Sequence, residues 1–230
     1  MHNDFISSNE IYYDYYKDAC TFVAVSQNQC ERMSGLNVDG CIHNGIDVGR
    51  FKFSDNKKDY LLFIGNISKD KGADIAVKAA IRLQRKLLLV GKIDPANQLY
   101  FDKEIKPFID NDQIILEPLA DHLRKQSLYG NAACLLFPID WDEPFGLVML
   151  EAMVCGTPVV AFNRGSIPEI IVNGVNGYAV NSFEELLKAI VDAENIDPHD
   201  CRKHVEDCFS VERMTDQYER LYEKIIQANR

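Results

Sequence analysis

From Tyr60 onward the chain alternates short apolar runs with stretches of helical period, and this restricts its fold more than any other feature. Residues 60–64, 87–90, 113–116, 132–137, 158–162 and 177–180 read as strands. Residues 71–84, 120–130, 145–154 and a short 168–172 read as the helices between them. Near-continuous apolar strands are what a sheet buried on both faces requires. Alternation with helices then predicts an α/β fold, a Rossmann-like parallel sheet with helices on both faces, over residues 58–180.

Residues 181–230 predict helices packing on that domain. Ser182 with Glu185 forms a capping box, and Ser210 is an N-cap with Phe209 and Met214 placed as a hydrophobic staple. Val211, Met214, Tyr218, Leu221, Tyr222, Ile225 and Ile226 fall on one helical stripe, which predicts that the last helix packs on something. Residues 1–57 differ. A strand at 21–25, a helix at 27–33 and a strand at 39–42 make one strand–helix–strand piece, too little to close a core. They read as the end of another domain or as a decoration, joined through the polar stretch 54–59.

The 230 residues carry 25 Lys and Arg against 35 Asp and Glu, a net charge of −10, so no basic face for nucleic acid or anionic membrane is expected. No apolar run is long enough to span a membrane, and the first residues lack a signal-peptide pattern. Seven cysteines, with no CxxC among them, read as free packing thiols in a reducing cytoplasm. No pair has the spacing of zinc ligands, so no metal is expected. His2, His122 and His204 read as structural or exposed, and His43 as part of a turn at Asn44-Gly45. No GxGxxG is present, which disfavours a nicotinamide enzyme.

The chemistry is concentrated in Asp142-Glu-Pro-Phe-Gly-Leu-Val-Met-Leu-Glu-Ala152. Pro144 suits a first helical turn, which would leave the amides of Phe145, Gly146 and Leu147 facing outward at the positive end of the helix. At the carboxyl edge of a parallel sheet this is an anion site, with Gly146 leaving room for the ligand. Glu143 stands at its mouth and Glu151 about 12 Å down the helix by rise per residue. Carboxylates so far apart cannot work on one bond, but they can hold hydroxyls at two ends of a sugar–phosphate–ribose ligand. Standing alone, both glutamates would be ordinary solvated side chains.

Their surroundings resemble the group 1, family 4 glycosyltransferases. The resemblance rests on Glu143-x7-Glu151 with Pro-Phe-Gly, on Glu-Ala-Met-x-Cys-Gly-Thr-Pro-Val-Val (151–160) and on Gly-Ser-Ile-Pro-Glu (165–169). Tyr60-Leu-Leu-Phe-Ile-Gly-Asn-Ile-Ser-Lys-Asp-Lys-Gly72 resembles the family's first donor-domain strand and phosphate loop. Val25-Ser26 and His43–Phe51 resemble the hinge, and Phe209-Ser210 the closing segment. The resemblance implies a GT-B fold of two Rossmann-like halves, with residues 1–57 the remnant of the acceptor half. It implies retaining transfer from a nucleotide-diphosphate sugar to a glycan or glycoconjugate, without a metal. Glu143 and Lys71 would be catalytic. Gly65, Asn66, Lys71, Leu119, Phe145, Gly146, Leu147 and Glu151 would bind the donor.

Asn66 stands where the family often has Arg, and brings no charge. Asp140-Trp-Asp142 matches a DxD metal motif formally, but reads as the loop that sets Glu143. Because most of an acceptor half is not seen, a separate acceptor-domain subunit or self-association is expected. The alternative function is a non-catalytic nucleotide-sugar-binding module that needs such a partner.

Overall fold

A computed structural model of the chain describes residues 13, 15–17, 19–33, 35–118 and 121–228. The amino-terminal piece holds β1 (Phe22–Ala24), α1 (Gln27–Arg32) and β2 (Val38–Cys41), its two strands paired parallel in a small sheet. The main sheet has six parallel strands: β3 (Tyr60–Ile64), β4 (Lys86–Val90), β5 (Ile114–Glu117), β6 (Cys134–Phe137), β7 (Val159–Phe162) and β8 (Gly177–Val180). Their order is β5-β4-β3-β6-β7-β8.

Every residue of β3 and of β6 is buried, as a central parallel strand covered on both faces must be. Leu61 pairs with Leu87 on one side and Cys134 on the other, so the register stacks apolar side chains across the sheet. The α/β expectation is met, with strand ends within two residues of those predicted.

Helices cover the sheet: α2 (Ala73–Leu83), α3 (Gln98–Glu104), α4 (His122–Asn131), α5 (Leu147–Val154), α6 (Ile167–Ile170), α7 (Phe183–Asp192), α8 (Pro198–Cys208) and α9 (Val211–Ala228). α2 buries Ala73, Ala76, Val77, Ala79 and Ala80, a small-residue face that lies close on the strands. α3 had no counterpart in the sequence reading. α2 starts two residues later than predicted, at Ala73, and so does α5, at Leu147. Gly146 is in the left-handed region (φ 84) at the head of α5, which stops the helix from extending back to Phe145 and Pro144.

Ser182 caps α7 by accepting the Glu185 N–H at 3.2 Å, but the Glu185 carboxylate takes the Asn181 N–H, one residue before the N-cap. Ser210 accepts from Arg213 as an N-cap should. The stripe on α9 is covered unevenly: Leu221 is buried, Val211, Met214, Tyr218 and Ile225 are half-buried, and Tyr222 and Ile226 are 57% and 54% exposed. The start of α9 is tied to the amino-terminal part by Ile46, whose N–H donates to Phe209 and whose carbonyl accepts from Val211.

The core holds titratable groups that make stability pH-dependent. Burial pushes the Cys134, Cys155 and Cys201 thiols from 9.0 up to about 12. Folded values above the unfolded one mean stability that is complete below pH 9 and lost as pH rises toward 12. Between pH 8 and 10 each thiol therefore removes stability, on the order of 1 kcal/mol. Burial acts oppositely on Lys57, lowering its ammonium from 10.5 to about 8. Its contribution therefore rises with pH, by about 2 kcal/mol over the same interval. Three thiols outweigh the one ammonium, so the unfolding temperature should fall by a few degrees from pH 8 to pH 10. A thermal scan with no fall over that range would contradict the burial of these thiols.

Candidate functional site

The strand order reverses between β3 and β6, and a parallel sheet takes ligands in the crevice above the carboxyl ends at that point. The loop after β3, residues 65–72, and the loop after β6, residues 138–146, both open there. Gly72 lets them meet. Its φ is +72, and a Cβ on it would lie 1.9 Å from the Pro138 carbonyl oxygen. Beside that contact the Asp140 N–H donates to the Asp70 carbonyl at 2.9 Å.

This packing brings Lys71 Nζ to 2.7 Å from Glu143 Oε2, with both side chains mostly buried. The same ammonium lies 4.5 Å from the centre of the Trp141 ring. Glu143 is also held from the loop after β7. The Ser166 N–H donates to the Glu143 carbonyl at 3.0 Å and Ser166 Oγ to the Phe145 carbonyl at 2.8 Å. Gly165 approaches so closely that a Cβ would lie 2.5 Å from both the backbone nitrogen and oxygen of Glu143. The carboxylate is thus set by three loops rather than left on a mobile one.

Because α5 begins at Leu147, its outward amides are those of Leu147 and Val148; the Met149 N–H is taken by the Gly146 carbonyl at 3.0 Å. The Phe145 amide precedes the helix. The Phe145 ring is buried, 5.7 Å from the His43 ring and 6.0 Å from that of Phe209. Gly146 lies at the helix head as expected. Glu151 sits one turn further along α5 and accepts the Tyr129 hydroxyl at 2.9 Å. Burial, and then the Glu151 charge, push that phenol far up, so it stays a donor that orients the carboxylate.

Gly65 follows β3, its N–H donating to the Val90 carbonyl, and Asn66 comes next, exposed to solvent. Lys69 is exposed as well. Leu119 lies outside the described residues. Asp140 and Asp142 contact Arg164 and the Gly165 N–H, the loop-setting role expected of them. The structure therefore gathers Lys71, Glu143 and the head of α5 at one crevice, with Glu151 deeper along the helix. The sequence reading missed Trp141, Val148, Tyr129 and the Gly165-Ser166 clamp as parts of this site. Trp141 was visible as the lone Trp beside the glutamate block; Tyr129 gave no signal, being an ordinary core aromatic by pattern.

Residues 48–206 match the family model described as glycosyl transferases group 1. The chain belongs to this family. Among relatives of this group 1 glycosyltransferase chain is D-inositol 3-phosphate glycosyltransferase 1 of Catenulispora acidiphila, 28% identical over 179 residues, covering 66% of this chain and 43% of that protein. Spore coat protein SA of Bacillus subtilis is 26% identical over 186 residues, covering 73% and 49%. The chain thus spans less than half the length of these two curated relatives.

Solved structures agree in fold. The Anabaena protein HepE, crystallised with UDP and glucose, aligns with a TM-score of 0.83 at 20% identity, over 97% of this chain and 70% of that one. The group 1 glycosyltransferase chain therefore has the α/β architecture of GT-B enzymes. Among its described residues no helix is long and apolar enough to cross a membrane.

Proposed function

We propose that the chain binds a nucleotide-diphosphate sugar and serves retaining transfer of that sugar to a glycan or glycoconjugate acceptor. The observation that carries this reading is the 2.7 Å contact of Lys71 with Glu143 at the switch-point crevice, beside the open head of α5. A diphosphate adjoining a sugar needs a cation and a hydroxyl acceptor this close together.

In this reading Lys71 and the amides of Leu147 and Val148 hold the diphosphate. Their charge and dipoles matter most as the nucleotide leaves and its phosphate gains charge. Glu143 accepts hydrogen bonds from donor-sugar hydroxyls, and Glu151, held by Tyr129, accepts from the ribose. Gly65 and Asn66 line the phosphate loop, and Leu119 is assigned to the base. The bond from the anomeric carbon to the leaving phosphate breaks as the acceptor oxygen bonds to that carbon from the same face. The leaving phosphate takes the acceptor proton, so no protein nucleophile is required. Lys71 and the helix amides supply the positive charge, and no metal is assigned. Residues 1–57 are read as the end of the acceptor domain, 58–180 as the donor domain and 181–230 as its closing helices. A separate acceptor-domain subunit, or self-association, would complete the cleft. The cysteines, all free thiols, fit a cytoplasmic setting.

A second reading is favoured by Asn66: a nucleotide-sugar-binding module that has no turnover without its partner, because one phosphate cation is missing. Both readings require a working donor pocket. Nucleoside diphosphates at about 100 times their dissociation constant should raise the unfolding temperature by about 5–10 °C for one base selectively, with or without magnesium. No rise with any nucleotide would remove both readings for the isolated chain. Sugar release by the chain alone would exclude the second.

A further inference from the structure

Away from the Lys71–Glu143 crevice, Cys41, His43 and Glu169 meet at one place. The thiol sulfur, an imidazole nitrogen and a carboxylate oxygen lie within 4.8 Å of one another. We propose that these three side chains form a zinc site that joins the end of β2 to α6, with water as fourth ligand.

Three observations support it. Cys41 ends β2 and His43 follows by two residues, with its ring nitrogen within 4.8 Å of the thiol sulfur. Glu169 is 126 residues away and arrives from α6. The ligand set of one sulfur, one nitrogen and one oxygen suits zinc, whereas magnesium and calcium prefer oxygen alone. The three are half-buried.

The supporting groups are also in place. Glu169 accepts the Gln27 N–H at 2.7 Å and the Asn28 N–H at 2.9 Å, so the head of α1 fixes the carboxylate. His43 Nε2 lies 2.9 Å from Glu169 Oε2 and, facing a carboxylate, donates to it. The ring packs against Phe145 and Phe209, at 5.7 and 5.6 Å, which sets its plane. Such outer contacts are what orient metal ligands.

Zinc would enter between the two partners of the His43–Glu169 hydrogen bond. The imidazole proton moves to Nδ1, freeing the Nε2 lone pair, and the Cys41 thiol gives up its proton to solvent. One Zn2+ is gained and one proton released, with no change of oxidation state. The His43 and Glu169 atoms, 2.9 Å apart, part slightly and the Cys41 sulfur draws in, which gives zinc bond lengths of about 2.0–2.3 Å. Because Phe145 rests on the His43 ring, the metal would also stiffen the underside of the Glu143 loop.

The test uses the full chain, stripped with chelator and kept reduced by a phosphine, and titrated with Zn2+ or Co2+ alone. One equivalent should bind, and Co2+ should show tetrahedral visible bands with a thiolate-to-cobalt absorption. Cys41→Ser should abolish that absorption and weaken binding at least tenfold, whereas Cys20→Ser and Cys208→Ser should leave both unchanged. His43→Gln, checked as folded by circular dichroism, should also weaken binding at least tenfold. Absence of stoichiometric binding by the folded chain would overturn the proposal, as would an unchanged cobalt spectrum in Cys41→Ser. Neither readout depends on nucleotide, so the donor-site reading stands or falls separately.

Discussion

Lys71→Ala should weaken nucleoside diphosphate binding by about 100-fold. A charge-assisted hydrogen bond to phosphate contributes about 1.5–3 kcal/mol, or about 10–100-fold in affinity. The substitution does more than delete it. Glu143 would lose the partner now 2.7 Å away and stay mostly buried with its charge uncompensated, facing the incoming diphosphate. Repulsion then adds to the lost attraction, which puts the effect at the upper end. Lys69→Ala is the control, because that side chain is exposed and has no part in the pair; its effect should stay within about threefold, in line with the small contributions of exposed charges. If calorimetry gave equal affinities for Lys71→Ala and wild type, the pair would be a structural ion pair and no phosphate site.

Gly72→Ala should cost at least about 3 kcal/mol of stability, an unfolding temperature lower by about 6–12 °C. Two effects combine. A residue with a Cβ pays to sit at φ +72, and the new carbon would overlap the Pro138 carbonyl oxygen at 1.9 Å. That oxygen belongs to backbone, so relief requires the loops after β3 and β6 to separate. Separation pulls Lys71 from Glu143, and nucleotide binding should fall with stability. Gly40→Ala on β2 is the matching control, since a Cβ there meets nothing within 4 Å. It should leave the unfolding temperature within about 2 °C. A Gly72→Ala chain as stable as wild type would mean that the two loops do not pack as described.

Much of the main sheet was legible because burial on both faces leaves strands such as Leu61–Leu62–Phe63 and Leu135–Leu136 apolar without interruption. α3 was not legible: Leu99 points to solvent at 66% exposure while Phe101 is buried, so a seven-residue helix shows no clear period. The start of α5 was misplaced because Pro144 looks like a first-turn residue, whereas the left-handed Gly146 decides where the helix begins. The α9 stripe was read correctly as a pattern, but a pattern does not say what covers it.

The site divides in the same way. Glu143 and Glu151 share one block of sequence and were found together. Lys71 was found by its own loop, but its contact with Glu143 spans 72 residues, and only the packing at Gly72 creates it. Cys41, His43 and Glu169 show the limit most clearly. Spacing in sequence reveals ligand sets that are close along the chain, and this trio is not one of them. Glu169 comes from α6, which the fold, not the spacing, brings to the end of β2.

The most direct measurement is a calorimetric titration of uridine, guanosine and adenosine diphosphates into the unmodified chain, each with excess chelator. The account predicts one site per chain, a clear preference for one base, and affinity that survives chelation and falls with added salt. Failure of all three to bind a folded chain, or binding that requires a divalent metal, would contradict a donor site built from Lys71, Glu143 and the head of α5.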